Sequence, residues 1–198
     1  MQALEHLLNE IRGCRHCEAH LPLGPRPVLA ASHLSKILIV GQAPGTKVHA
    51  SGVPWNDPSG VRLRNWLDVS DEQFYDHDLF AIVPMGFCYP GKGTRGDLPP
   101  RPECAELWQD KLMGHLGDVK LTLAIGQYAI KWHLGKRRKK TLAETVKHWE
   151  EYMDLNIFPL PHPSPRNIMW RRKNPWFEEE VVPALSRKVW EVIGQSDL

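Results

Sequence analysis

Short, uniformly apolar runs alternate along the chain with longer segments in which apolar residues recur every three or four positions. Uniform apolar runs of about four to eight residues are typical of strands buried on both faces of a sheet. The pattern therefore predicts four strands, which are Lys36–Gly41, Leu79–Pro84, Val119–Gly126 and Asn156–Pro161.

The periodic segments predict helices. In the first, Ala3–Cys14, the leucine and isoleucine residues lie on one helical face. Further helices are predicted over Ser59–Val69, Arg101–Leu116, Gln127–Leu134 and Asn174–Gly194. We expect Ser59 to be an N-cap, Pro102 to lie in the first turn of its helix and Pro183 to bend the last helix.

Strands that alternate with helices indicate a parallel sheet covered by helices on both faces. With 198 residues and 42% hydrophobic composition, the chain has the size and apolar content of one compact domain. We therefore expect a single-domain α/β/α sandwich over residues 1–198, with a central, mostly parallel four-stranded sheet. Ligands bind such sheets beyond the carboxyl ends of the strands, where the chain has Gly41–Gly60, Met85–Pro100, Gly126–Lys131 and His162–Trp176.

The formal net charge of +2 excludes strong nucleic-acid binding through overall charge, so any such binding depends on local patches. One basic run, Gly135–Lys140, is either a solvated turn or a nucleic-acid contact. No apolar run approaches the roughly 18 residues of a membrane-spanning helix, and no signal peptide precedes the first predicted helix. We expect a cytoplasmic monomer that does not bind membranes.

The four cysteines of the chain fall into two pairs. Cys14 and Cys17 form a C-x2-C pair after the first helix, and Cys88 and Cys104 flank a loop rich in proline and glycine. Together they can form a four-thiolate site, which suits zinc or an iron–sulfur cluster equally well. The alternative is that some of them are small buried residues. Because no redox cofactor motif accompanies them, we expect a structural role.

The segment after the first predicted strand contains candidate ligand-binding residues. Gly41 and Gly45, in the sequence GQAPG, allow a tight turn and a close approach of the backbone to a ligand. Trp55 lies in a loop bounded by proline and glycine, where its ring can stack on a flat ligand or anchor the loop on the core. Asp57 is a candidate general base or electrostatic stabiliser; alternatively it forms an Asx turn or caps a helix.

His162 follows the fourth predicted strand, in the segment PHPSPRN. The prolines around it fix the backbone, and a neutral imidazole can donate a hydrogen bond to an oxygen that gains negative charge. The next residues interleave basic side chains with Ile168, Met169 and Trp170, which suits phosphates and insertion into a base stack. The alternative is a solvated basic turn with Trp170 packed on the core.

The order and spacing of these motifs resemble the uracil-DNA glycosylase superfamily, most of all its iron–sulfur branch, family 4. The sequence GQAPG is similar to the first motif of that branch, GEAPG, and GVPWNDPSGVRLRNWL is similar to the segment that follows it. The sequence HPSPRN resembles the histidine motif and minor-groove loop of the superfamily. The cysteine spacing resembles that of the cluster ligands, and the resemblance covers most of the chain.

The resemblance implies a DNA glycosylase that flips uracil or another deaminated or damaged base out of DNA and hydrolyses its N-glycosidic bond. His162 would donate to the uracil O2, with Asp57 and Gln42 as further candidate catalytic residues. Base binding is expected from Gly41, Ala43, Pro44, Gly45, Trp55 and Met85. DNA binding is expected from Ser164, Pro165, Arg166, Asn167, Ile168, Met169 and Arg171. A [4Fe-4S] cluster, or zinc in its place, would be held by Cys14, Cys17, Cys88 and Cys104.

Two positions differ from the pattern of that branch. Gln42 stands where the branch has glutamate, and Pro84 stands where family members usually have an asparagine that reads the uracil edge. These differences raise a second hypothesis, a catalytically weak or inactive superfamily member that binds DNA or nucleotides without base excision. A third hypothesis is a cysteine-site protein of redox sensing or electron transfer.

Overall fold

The computed structural model describes residues 2–94 and 96–194. Its strands are β1 (Ile37–Val40), β2 (Phe80–Ile82), β3 (Lys92–Gly93), β4 (Gly96–Asp97), β5 (Leu121–Ile125) and β6 (Ile157–Leu160). Strands β2, β1, β5 and β6 form a central sheet in that order, and each neighbouring pair is parallel. Strands β3 and β4 form a separate antiparallel hairpin. The predicted α/β fold with a central four-stranded sheet is confirmed, and this sheet is parallel throughout.

Helices of very different lengths surround the sheet. The α-helices are α1 (Gln2–Arg12), α2 (Thr46–Ser51), α3 (Pro58–Leu67), α4 (Asp71–Phe74), α5 (Pro102–Cys104), α6 (Asp110–Met113), α7 (Gly126–Leu134), α8 (Leu142–Lys147), α9 (Ile168–Lys173) and α10 (Val182–Ile193). Single 3-10 turns or short 3-10 helices span Glu18–His20, Gly135–Arg137, Trp149–Leu155 and Pro165–Asn167. Helices α2, α4, α8 and α9 and the hairpin were not predicted, because elements this short do not show a clear hydrophobic period.

Each face of the sheet packs against its own layer of helices, because alternate strand residues point to opposite faces. On one face, Leu38 and Val40 of β1 pack with buried residues of α1, α6 and α7. On the other face, Ile37 and Ile39 pack with buried residues of α3 and α10. All four residues of β1 are buried, which explains why the sequence of this strand is apolar without alternation.

Helix α3 begins one residue earlier than predicted, at Pro58, and its N-cap is Asp57. Asp57 Oδ1 accepts a hydrogen bond from the Gly60 N–H at 2.8 Å. The prediction that Ser59 is the N-cap was therefore wrong. Proline suits the first position of a helix because that position needs no N–H donor, so the capping side chain comes from the residue before it.

The two longest predicted helices each contain a π-helical segment. In the first, Ala105–Gln109 separates α5 from α6, and Pro102 lies in the first turn as predicted. In the last, Phe177–Val181 directly precedes α10, whose first turn contains Pro183. Because proline cannot donate a backbone hydrogen bond, the hydrogen bonding changes from π-helical to α-helical near Pro183, where a bend was expected. Within the described ranges, no helix is long and apolar enough to cross a lipid bilayer.

Candidate active site

A pocket of about 350 Å³ opens at the carboxyl ends of β1, β2 and β6. Its walls come from the turn after β1, the loop before α3, the residue Pro84 after β2, the β3–β4 hairpin and the segment after β6. This volume falls in the range of small-molecule sites. Three of the four segments expected at this edge therefore meet in one pocket, whereas Gly126–Lys131 after β5 contributes no residue to its lining.

The turn Gly41–Gly45 forms the floor of the pocket, and all five of its residues line it. The turn is held against the chain after β2, since Met85 N–H donates to Gly41 O and Gly86 N–H donates to Gln42 O, both at 2.9 Å. The Met85 side chain instead packs in the core and does not line the pocket. Met85, a predicted base-binding residue, thus acts at this site through its backbone.

The side chain of Gln42 bridges two walls of the pocket. Its Nε2 donates to the backbone oxygen of Leu98 at 3.0 Å. Gln42 therefore connects the turn after β1 with the chain that leaves the β3–β4 hairpin. This bond uses a side-chain N–H, which a glutamate at the same position could not supply.

Trp55 forms one side wall and is closely surrounded. A Cβ built on Gly41 would lie 2.9 Å from the Trp55 ring, and one built on Gly60 would lie 1.7 Å from the Trp55 carbonyl oxygen. Trp55 has a φ of +57°, a left-handed conformation that costs a non-glycine residue on the order of 1 kcal/mol or more. The ring packs on the core, which agrees with the anchoring role considered for Trp55, and it also lines the pocket.

His162 lies beside Trp55, with the ring centroids 5.6 Å apart and the planes at 33°. Ser164 N–H donates to His162 Nδ1 at 3.2 Å, and Asn167 Nδ2 donates to the His162 carbonyl oxygen at 2.8 Å. An acceptor at Nδ1 leaves the proton of the neutral ring on Nε2. Burial lowers the pKa of His162, and the nearby charges of Asp57 and Asp97 oppose that effect.

Among the residues that the structure describes, two carboxylates line this pocket. Asp57 does so while it caps α3, so the capping alternative considered from the sequence is confirmed. Asp97, at the end of β4, was not predicted. The sequence indicated only that Asp97 lies in the segment Met85–Pro100, which was expected near the ligand. Whether its side chain reaches the pocket depends on how the β3–β4 hairpin packs against the turn after β1.

The segment after β6 is more ordered than the expected DNA-binding loop. Ser164, Pro165 and Arg166 line the pocket, and α9 then exposes Ile168 and Met169. The predicted contact residue Arg171 is different, because its side chain is only 9% exposed and its Nε lies 3.1 Å from Glu178. Arg171 is thus engaged within the protein rather than presented on its surface.

Trp170 packs edge to face on Phe177, which supports the alternative that this tryptophan belongs to the core. In the basic run after α7, Arg137 pairs with Asp154 and Lys139 pairs with Glu151. These two ion pairs support the interpretation of that run as a solvated turn.

The four cysteines are free thiols and line one small cavity of about 20 Å³. Burial raises the pKa of Cys88 to about 11 and that of Cys104 to about 12. Arg101 also lines the cavity, and burial raises the pKa of Cys17 while Arg101 opposes that effect. Among the described residues, no group of three or more Cys, His, Asp or Glu side chains is arranged to hold a metal ion as it stands.

The donor set nevertheless fits a thiolate-bound group, because four sulfurs from three distant chain segments surround one cavity. A bound metal would compete with the proton for each sulfur, since metal ligands must be deprotonated. The cavity brings the segment after α1 to the loop after β2 and to α5. A group bound to these thiols would therefore link the segment after α1 to the loop after β2.

Comparison with known families gives one match, to a model described as the uracil DNA glycosylase superfamily, over residues 30–186. The chain belongs to this superfamily. Membership supports a glycosylase-like function in general and DNA as the binding partner. The match covers the whole central sheet and the pocket lining apart from Val28, and it begins after Cys14 and Cys17.

Proposed function

We propose that the protein is a DNA glycosylase that hydrolyses the N-glycosidic bond of uracil or another deaminated or damaged base. The base would be flipped from the duplex into the pocket before hydrolysis. The observation that carries this proposal is the paired arrangement of Trp55 and His162 in a pocket of suitable size. An aromatic ring offers a stacking surface for a flat base, and the imidazole beside it offers a hydrogen-bond donor.

In the proposed reaction, the bond between C1′ and the base nitrogen breaks and the base leaves as an anion. The N–H at His162 Nε2 would donate to the base oxygen that gains charge, which stabilises the transition state. The Ser164 bond to Nδ1 supports this role because it holds the ring in the required tautomer. The backbone of Gln42 and Ala43 would position the base and the attacking water.

Outside the pocket, α9 would contact the DNA. Its exposed Ile168 and Met169 have the apolar character of side chains that insert between base pairs in the minor groove. Arg166, which lines the pocket mouth, would contact a phosphate next to the flipped base. Arg171 would not contact the DNA, because its guanidinium is paired with Glu178.

We further propose that Cys14, Cys17, Cys88 and Cys104 hold a [4Fe-4S] cluster, with zinc as the alternative. Either group, when bound, would cross-link the segment after α1 to the loop after β2. The convergence of four thiols on one cavity supports this proposal. Metal and sulfide analysis of the purified protein, together with its visible absorbance, distinguishes the two groups.

A second candidate function is DNA binding without base excision. It is favoured by Pro84, which cannot read a base edge with a side-chain amide and whose carbonyl oxygen accepts from Gln109 Nε2 at 2.8 Å. It is also favoured by Gln42, whose amide is bonded to Leu98 where the related branch has a carboxylate.

A panel of oligonucleotides tests the two functions. Each carries one uracil, hypoxanthine, xanthine or oxidised base, in single-stranded and duplex form, and alkali cleaves any abasic site that is formed. We expect cleavage of at least one substrate and none of the undamaged strand. Binding of these oligonucleotides without cleavage by the folded, metal-loaded protein would favour the second function instead.

A further inference from the structure

Asp97 is a carboxylate at the pocket for which the superfamily resemblance provides no role. It ends β4, lines the pocket and is exposed to solvent. A Cβ built on Gly45 would lie 3.6 Å from Asp97 Oδ2, so the carboxylate lies against the turn that is expected to position the base and the water.

The two pocket carboxylates differ in their side-chain hydrogen bonds. Asp57 Oδ1 accepts the Gly60 N–H at the start of α3, so that side chain serves the helix. Asp97 makes no side-chain hydrogen bond or ion pair to another described residue. Its charge nevertheless acts on His162, whose pKa is lowered by burial and raised by Asp57 and Asp97. Asp97 is thus a carboxylate without a hydrogen-bond partner among the described residues, and its charge acts on His162, the proposed donor to the leaving base.

The backbone around Asp97 is fixed although its side chain is free. Leu98 N–H donates to Gly91 O at 2.8 Å, and Leu98 O accepts from Gln42 Nε2 at 3.0 Å. Gln42, at the position where the related branch has glutamate, therefore anchors the residue next to Asp97. The turn after β1 therefore lacks the carboxylate of the related branch. Its Gln42 instead bonds the backbone next to Asp97, which brings a carboxylate from the hairpin to the same pocket.

We propose that Asp97 is a catalytic residue of base excision that accepts a proton from the attacking water. The proposal rests on the glycosylase function proposed above. The water oxygen forms a bond to C1′, the bond between C1′ and the base breaks with its electron pair on the base, and the water proton moves to the Asp97 carboxylate. A positioned general base contributes about 10²- to 10⁴-fold to a rate.

Single-turnover excision of the base identified in the panel tests this role, with DNA affinity measured separately. We expect Asp97→Asn to slow excision by about 10²-fold or more and to bind DNA as tightly as the wild type or more tightly, because a negative charge near phosphates is removed. The matched control is Lys92→Gln, which changes the charge of the residue paired with Asp97 across the hairpin and should excise at the wild-type rate.

Chemical rescue separates proton transfer from hairpin positioning. Formate should restore part of the excision rate of Asp97→Ala, whereas chloride at the same ionic strength should not. The role of Asp97 would be overturned by an Asp97→Asn excision rate within about three-fold of the wild-type rate. It would also be overturned if weaker DNA binding alone explained the slower excision, or if formate restored none of the Asp97→Ala rate. If the wild type excises no base from the panel, the glycosylase proposal fails and this proposal fails with it.

Discussion

The hydrogen-bonding role of His162 depends on its neighbours more than on the imidazole itself. Ser164 N–H occupies Nδ1, and burial lowers the pKa of the ring against the raising effect of Asp57 and Asp97. The ring therefore stays neutral at pH values where a free imidazole begins to be protonated. A neutral ring with its proton on Nε2 can donate to a leaving base without first losing a proton.

Replacement of His162 tests this assignment. We expect His162→Ala to lower the single-turnover excision rate by on the order of 10²-fold or more with little change in melting temperature. His6→Ala, which changes an exposed histidine of α1, is the matched control and should leave both quantities unchanged. A loss of only a few-fold in the His162 variant would contradict the proposed donor role.

His133 does not line the pocket, but its protonation makes the stability of the fold depend on pH. Burial lowers its pKa from the ordinary 6.5 to about 4, and its Nε2 has no hydrogen-bond partner among the described residues. The unfolded chain thus binds a proton at this residue more readily than the folded chain does. The resulting contribution to stability is full above pH 6.5 and is lost progressively as the pH falls towards 4.

We therefore expect His133→Leu to weaken the dependence of the unfolding free energy on pH over this window. Urea unfolding of the two proteins at pH 7.5 and at pH 5, about one unit above the folded-state pKa, measures the difference. The exposed His6 provides the control variant His6→Leu, which should keep the wild-type pH dependence. An equal pH dependence in His133→Leu and the wild type would show that burial of this ring is not the cause.

At the scale of elements, the start of α3 and the loop before it form one unit. Asp57 caps the helix, Trp55 adopts a left-handed conformation, and the Trp55 carbonyl lies where a side chain on Gly60 would be. The glycine in DPSG is therefore required by the close approach of the loop backbone to the helix.

Gly60→Ala should destabilise the protein although alanine favours helices. A Cβ at this position would lie 1.7 Å from the Trp55 oxygen, so the loop must move, and we expect a loss of at least about 2 kcal/mol in urea unfolding. A Cβ on Gly117 would meet nothing within 4 Å, so Gly117→Ala is the control and should be close to neutral. Equal stabilities of the two variants would contradict this account.

Some of the elements missed from the sequence carried a local signal. Helices α4 and α8 begin with capping boxes, Ser70 with Gln73 and Thr141 with Glu144, and this spacing of hydroxyl and Glu or Gln marks a helix start. Helices α2 and α9 have no side-chain cap. Their short sequences favour a helix only in the context of the pocket walls that they adjoin.

At the scale of the whole molecule, the cysteine cavity joins parts of the chain that are far apart in sequence. Cys14 and Cys17 come from the segment after α1, whereas Cys88 and Cys104 come from the segments beyond β2. A group bound there would hold the N-terminal helix against the rest of the domain, in addition to the packing of α1 on the sheet.

We expect Cys88→Ser to lose the visible absorbance of the cluster and to melt at a lower temperature, because ligation is coupled to folding. Iron, sulfide and zinc analysis of each preparation accompanies the melting curves, and chelator-treated wild type serves as the comparison. A Cys88→Ser protein that keeps both its metal content and its melting temperature would rule out a ligand role for this thiol.

Sequence alone was sufficient for the fold class of this protein and for the strands of its central sheet. The strands of the central sheet are short and mostly apolar, and the longer helices repeat their apolar residues with a helical period, so β1, β2, β5, β6 and the longer helices were identified from local pattern. The same pattern placed the turn after β1, the Trp55 loop and His162 at one edge of the sheet. These features depend on residues close together in sequence.

Only the tertiary structure decided which side chains meet at that edge. In the structure, Asp57 rather than Ser59 caps α3, and the Met85 side chain packs in the core. Gln42 hydrogen-bonds Leu98, and Asp97 lines the pocket. Gln42 and Leu98 are 56 positions apart, and such contacts depend on how packed elements orient their loops. No local pattern of hydrophobic and polar residues encodes that orientation, so the proposed general base could be recognised only in the folded protein.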